Sequence, residues 1–227
     1  EIGEQTCQGL VYDLASVSKV VGVGTVLTFL WHQGELDIEK SVTEFLPDSD
    51  YPDITIRQLL THATDLDPYI PNRDQLNAEE LKEAMFHLNR REKRAFLYSD
   101  VHFLLLGFLL ERYFDKDLDQ ILQEQVLDPW KMKETRFGPV TCAVPTVRGQ
   151  KAGVVHDPKA RLLGKHAGSA GLFSTVKDLK IFLEHYLQDD FAAGLSQNFS
   201  DLSDKERSLA WNLEGDWLDH TGYTGTF

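Results

Sequence analysis

Only two cysteines, Cys7 and Cys142, occur in 227 residues, with no C-x-x-C spacing and no histidine pair beside them. That excludes a disulfide-dense scaffold, and two buried free thiols are the expected state. The histidines form no H-E-x-x-H motif and no His-rich tract, so the sequence offers no metal site. Long apolar runs are missing too. The longest, counting its glycine, is Phe103 to Leu110 (FLLLGFLL), far short of a membrane span. Basic residues are scarce: 23 Lys and Arg stand against 36 Asp and Glu, and the resulting net charge of −13 argues against nucleic acid or an anionic membrane as partner. No signal peptide is visible from Glu1, and the chain opens without an initiator Met, so cytoplasmic and cell-surface locations both stay open. What is present, 42% hydrophobic and 26% charged residues, suffices for a sizeable core in one large domain or two small ones.

The middle of the chain reads as helical. Ala15 to Trp31 is apolar on most sides and is followed by Gly34, as expected of a buried helix with a glycine stop. Gly22 and Gly24 inside it lack the third glycine of a dinucleotide loop, so they are read as sites of close helix packing. Ile54 to His62 is a short amphipathic segment. Asn77 with Glu80 forms a capping-box analogue that opens a helix to about Leu88. Further helices are expected from Ser99 to Tyr113, from Leu118 to Val126, and after Thr175 and Asp178. Strand-like patterning is confined to the end, where SLAWNLEG and DHTGYTGTF read as two antiparallel strands.

Ser-x-x-Lys occurs twice, as Ser16 to Lys19 and Ser174 to Lys177. Its chemistry needs both residues on one helix face, which positions i and i+3 provide. A lysine held there, partly desolvated, can lose its proton and take the one on the serine hydroxyl. Ser16 opens the long apolar helix, whose positive end can help stabilise an oxyanion. Ser174 opens a surface-patterned helix and reads as an N-cap, which leaves Ser16 as the candidate nucleophile. Two further elements follow. Tyr98-Ser99-Asp100 stands where a helix begins, and a phenol beside a lysine can shuttle a proton. His220-Thr221-Gly222 stands near the chain end, its glycine allowing a substrate backbone to approach. Each alone has an ordinary structural reading as an aromatic, a cap or a turn.

In combination and order they resemble the serine β-lactamase and penicillin-binding-protein superfamily, with its S-x-x-K, Y/S-x-N and K-T-G-type motifs. The similarity is closest to the class C β-lactamase-related group of DD-peptidases, D-aminopeptidases and esterases. It runs almost end to end through DLASVSK, ITIRQLLTHATDL, HAGSAGLFSTVKDL and HTGYTGT. The resemblance implies an α/β (α+β) fold of the β-lactamase/transpeptidase type, an antiparallel sheet flanked by helices with a mainly helical lobe. Residues 1–35 and 168–227 would form the α/β lobe and residues 36–167 the helical one, with Ser16 on the floor of the cleft between them. Ser16 would be acylated, Lys19 would be its base, and Tyr98 would pass the proton to the leaving group. The N–H groups of Ser16 and Tyr223 would form the oxyanion hole, and Asp100, His220, Thr221 and Gly222 would contact substrate. No cofactor and no metal is implied. The partner would be a small-molecule or peptide substrate: a small ester, a D-amino-acid amide or peptide, or, weakly, a β-lactam. A silent penicillin-binding or peptidoglycan-sensing domain is the alternative. Two departures bear on the choice: His220 stands where β-lactamases usually carry Lys, and Asp100 where Asn is usual. Both disfavour acidic ligands. In the group, strands precede the nucleophile segment and follow the K/H-T-G strand, so a sheet incomplete at both flanks is expected.

Other candidates are read structurally. The run from His166 to Gly171 fails the G-x-S-x-G elbow because Ala167 holds its first glycine position, and reads as a turn. His62 is expected to be a hydrogen-bonded structural histidine, His156-Asp157 a loop, and Asp48 to Asp53 a solvated loop without calcium spacing. Of the four tryptophans, Trp211 and Trp217 lie nearest the H-T-G segment.

Overall fold

The apolar run after Ala15 is a helical rod whose winding changes along its length. A 3-10 turn at Ala15–Val17 leads into a π-turn at Val20–Gly24 and then helix α1, Thr25–His32, with Gly34 at φ 72° ending it. The structure, a computed structural model, describes residues 10–147, 150–203 and 205–224. The two glycines of the π-turn are sites of close packing, as expected. A Cβ on Gly22 would lie 2.8 Å from Leu122 Cδ1, and one on Gly24 would lie 2.7 Å from the Ala210 Cβ.

Helix α2, Ile56–Leu60, is opened by a reciprocal capping box between Thr55 and Gln58 that the sequence reading did not single out. Helix α3, Ala78–Phe86, has the Asn77–Glu80 box. Helix α4, Asp100–Phe114, is capped by the Ser99 hydroxyl and is buried without interruption from Val101 to Leu110. Such all-round burial explains why FLLLGFLL shows no amphipathic period. Helix α5, Leu118–Leu122, continues into a π-turn ending at Leu127. No described helix is long and apolar enough to cross a membrane.

Strands depart most from the sequence reading. A three-stranded antiparallel sheet, ordered β1–β3–β2, is built from β1, Tyr12–Asp13, β2, Arg136–Phe137, and β3, Leu172–Ser174. Phe173 faces both Asp13 and Arg136 in the register. Strands of two or three residues are too short to show a period of two, so the sequence left them unread. Helix α6, Pro158–Leu163, precedes β3, and α7, Val176–Gln188, follows it. Thr175 caps α7, accepting from the Asp178 N–H at 3.2 Å. Ser174 is not the cap expected of it, because it is buried at the end of β3 and bonded to Thr135. The C-terminal strands shrink to a hairpin of β4, Asn212–Glu214, and β5, Trp217–Asp219, and the H-T-G segment follows β5 rather than lying in it. Cys142 is disulfide-bonded, which corrects the free-thiol expectation. Spacing carries no record of which segments meet in space, and Cys7 lies outside the described residues.

Candidate active site

Ser16 sits in a turn that the backbone must be forced into. Ala15, just before it, has φ 44°, a left-handed conformation costly for a residue with a Cβ. The Asp13 carboxylate holds this turn, accepting from Ala15 N at 2.8 Å and from His156 N at 2.8 Å. Burial pushes the Asp13 carboxyl up, and these N–H groups oppose that. The turn is also tied to β3: Leu14 N donates to Leu172 O at 2.9 Å, and Leu172 N donates to Ser18 Oγ at 3.2 Å.

One helical turn on, Lys19 is fully buried. Its Nζ donates to Ser16 Oγ at 2.9 Å, Asp100 Oδ1 at 2.7 Å and Ser169 O at 2.9 Å. Three acceptors are the full complement of an ammonium. The Ser169 carbonyl reaches Lys19 because two glycines let backbones touch. A Cβ on Gly107 of α4 would lie 3.2 Å from Gly168 Cα, and one on Gly168 would lie 2.2 Å from Phe103 O. The run from His166 to Gly171 is therefore no nucleophile elbow, but it supplies a backbone acceptor to the site.

Tyr98 lies with its ring centroid 5.1 Å from Lys19 Nζ and is 41% exposed. Its ring rests 4.6 Å from that of His62, which is buried, as expected of a structural histidine. Ser99 N donates to His62 Nδ1 at 3.4 Å, so the His102 Nδ1–H donates to the same atom at 2.8 Å, and His102 Nε2 accepts from Thr64 Oγ1. Burial, then the neighbouring His102, Arg207 and Lys19, holds His62 well below the usual range. Burial likewise holds His102 at about 3, so both rings are neutral at pH 7.

Asp100 opens α4 and bridges two lysines, Lys19 at 2.7 Å and Lys159 at 3.0 Å. Burial pushes its carboxyl up, but the two ammonium groups outweigh this and hold it at about 2. A cavity of about 520 Å³ opens beside this pair, lined by Tyr98, Asp100 and Lys159 with Tyr69, Arg73 and Asp74. Ser16 does not line it, so the cavity reaches the site from the Asp100 side.

The H-T-G segment closes the other side. Gly222 lies against the nucleophile turn, where a Cβ would stand 2.4 Å from Leu14 O. The His220 ring is 6.1 Å from that of Tyr98, and the Tyr223 ring is 5.8 Å from that of His156. Thr221 and Tyr223 are exposed. Burial, then the Lys19 charge, holds His220 at about 4, so it is neutral at pH 7. Its Nδ1–H donates to Thr221 O at 2.9 Å, which leaves Nε2 as a buried acceptor without a partner. Trp217 is exposed and Trp211 is buried. The sequence reading missed Lys159, the Ser169 carbonyl, the His62–His102 link and Arg207. Arg207 is a buried guanidinium over Phe96, held at about 10 by burial, with Tyr98 and Asp219 opposing that effect.

The family described as Beta-lactamase matches residues 7–227. A relative in Escherichia coli (strain K12) named for D-alanyl-D-alanine carboxypeptidase is 25% identical, covering 96% of this chain and 65% of its own. The N-acetylmuramyl-L-alanine amidase of Bacillus subtilis (strain 168) is also 25% identical, covering 95% and 64%. Among solved structures, the D-amino acid amidase of Ochrobactrum anthropi superposes with a TM-score of 0.70 at 18% identity, covering 96% of this chain and 71% of that one. The chain thus spans about 65% of the length of the first of these relatives, and the fold is of the β-lactamase/transpeptidase type.

Proposed function

The chain belongs to the beta-lactamase family, and on that premise we propose that it is a serine hydrolase working through an acyl-enzyme on Ser16. The observation that carries this reading is the 2.9 Å hydrogen bond between Ser16 Oγ and a buried Lys19. Once Lys19 has lost one proton, the Ser16 hydroxyl donates to Nζ. Oγ then bonds the substrate carbonyl carbon as its proton passes to Lys19. The tetrahedral intermediate collapses by breaking the bond to the leaving group, which takes that proton through the Tyr98 hydroxyl. Water then adds to the acyl carbon, and its proton returns by the same route to Ser16 as the ester bond breaks. The N–H groups of Ser16 and Tyr223 receive the developing oxyanion.

Charge supports one substrate class over another. His220 is neutral, Asp100 is anionic, and Lys159 is engaged by Asp100 and Asp157. Such a site favours small esters and D-amino-acid amides, or peptides without a free carboxylate beside the scissile bond, over acidic ligands such as penicillins.

The test is labelling with a fluorophosphonate and a fluorescent penicillin, read by intact mass, beside turnover of p-nitrophenyl esters, D-amino-acid p-nitroanilides and nitrocefin. Wild type is expected to carry a fluorophosphonate adduct that Ser16→Ala lacks, to turn over esters or amides, and to hydrolyse nitrocefin slowly. No adduct on wild type refutes the reading. A stable adduct with no turnover of any substrate assigns a penicillin-binding or sensing domain instead.

A further inference from the structure

Lys159 occupies a place its own helix disfavours. It follows Pro158 in the first turn of α6, where the helix dipole opposes a cation. Its side chain is only 14% exposed, and its Nζ lies 3.0 Å from Asp100 Oδ2 and 3.4 Å from Asp157 Oδ2. Asp157 caps α6 with its other oxygen, so the residue that starts the helix also fixes the lysine. The Asp100 carboxylate is therefore shared, one oxygen to Lys19 and the other to Lys159.

We propose that Lys159 is a positioning residue for the Ser16–Lys19 pair: it holds the second oxygen of Asp100, so that this carboxylate orients Lys19 without locking it as an ammonium. The proposal rests on the reading of Ser16 as nucleophile. Several groups face Lys19. Ser16 is on its own turn, Tyr98, Asp100 and His102 stand at the start of α4, the Ser169 carbonyl precedes β3, and His62 and His220 complete the set. Both latter histidines and His102 are neutral at pH 7, which leaves Asp100 as the anion in direct contact with Lys19. On the cavity side of Lys159, Arg73 and Asp74 pair with each other at 2.9 Å. A carboxylate free of a second cation could engage Lys19 through both oxygens, whereas acylation needs Nζ to accept the Ser16 proton. A second cation on that carboxylate holds one oxygen and draws negative charge away from Lys19, and losing that bond is expected to move the acid limb by about one pH unit.

The experiment follows kcat/KM against pH for p-nitrophenyl ester hydrolysis in wild type, Lys159→Met, Lys159→Arg, Asp100→Asn and the Asp100→Asn/Lys159→Met double variant. Lys159→Met is expected to move the acid limb up by about one pH unit, an approximately tenfold loss on that limb, while Lys159→Arg returns it to the wild-type position. In the Asp100→Asn background the Met substitution is expected to move the limb little, because its effect passes through Asp100. Lys159→Gln, which keeps a donor without the charge, replaces Met if near-ultraviolet circular dichroism shows that Met unfolds the protein. An unmoved limb in the charge-free variant, or an equal shift with and without Asp100, overturns the proposal. Turnover that persists in Ser16→Ala overturns the nucleophile reading and this proposal with it.

Discussion

Replacing Asp100 with Asn deletes one negative charge yet keeps a carbonyl oxygen for Lys19 to donate to. Burial would raise the Asp100 carboxyl, but Lys19 and Lys159 bring it from 3.8 to about 2. A depression of nearly two pH units corresponds to roughly 2 kcal/mol of folding stability. The side chain is 25% exposed, so solvent screening makes that figure an upper value. The sign follows from the direction. A carboxyl depressed by folding contributes fully above its unfolded value of 3.8 and loses that contribution as the pH falls towards 2. A protonated Asp and an Asn carry the same charge, so wild type and variant should converge in acid. Urea unfolding should therefore show Asp100→Asn less stable by up to about 2 kcal/mol at neutral pH, with the gap closing below about pH 4. A gap of constant size from neutral to acid pH, or no gap at neutral pH, refutes the reasoning that the two lysines stabilise this carboxylate.

Gly222→Val places a Cβ 2.4 Å from the Leu14 carbonyl, so the H-T-G segment must back away from Ser16. Ester kcat/KM should fall at least about tenfold with little change in thermal midpoint, as a misplacement of order 1 Å costs that much or more. His220→Lys supplies a cation in place of an imidazole held at about 4. The ratio of nitrocefin to ester turnover should rise several-fold, and an unchanged ratio would remove His220 from substrate selection. Phe173→Ala empties a fully buried position on the central strand β3. Chemical denaturation should register a loss of about 3–5 kcal/mol.

The capping residues show where local chemistry suffices. Asn77 with Glu80 and Thr175 with Asp178 were legible because a cap bonds a backbone group within the same turn. Ser16 and Lys19 were legible for the same reason, standing one turn apart. Ser174 and Lys177 have the same spacing, yet β3 buries that serine against Thr135. Asp100 and His220, and the charges that disfavour acidic ligands, could be read from the sequence, but what fixes those charges could not: for the first it is Lys19 and Lys159, distant in the chain, and for the second it is burial.

The sequence by itself determined the long helices α1, α3, α4 and α7, the caps at Asn77 and Thr175, the order of the three motifs and the family they resemble. Each of these is written in contacts between near neighbours or in the identity of a few side chains. Tertiary structure alone decided the three-stranded sheet, whose strands of two or three residues carry no period and come from three distant segments. It also decided the surroundings of Lys19, where α4, the turn around Ser169 and α6 converge because Gly107 and Gly168 let two backbones meet. Hydrogen bonding and charge act over a few ångströms of space whatever the distance along the chain, so these groups could be placed only once the chain was folded.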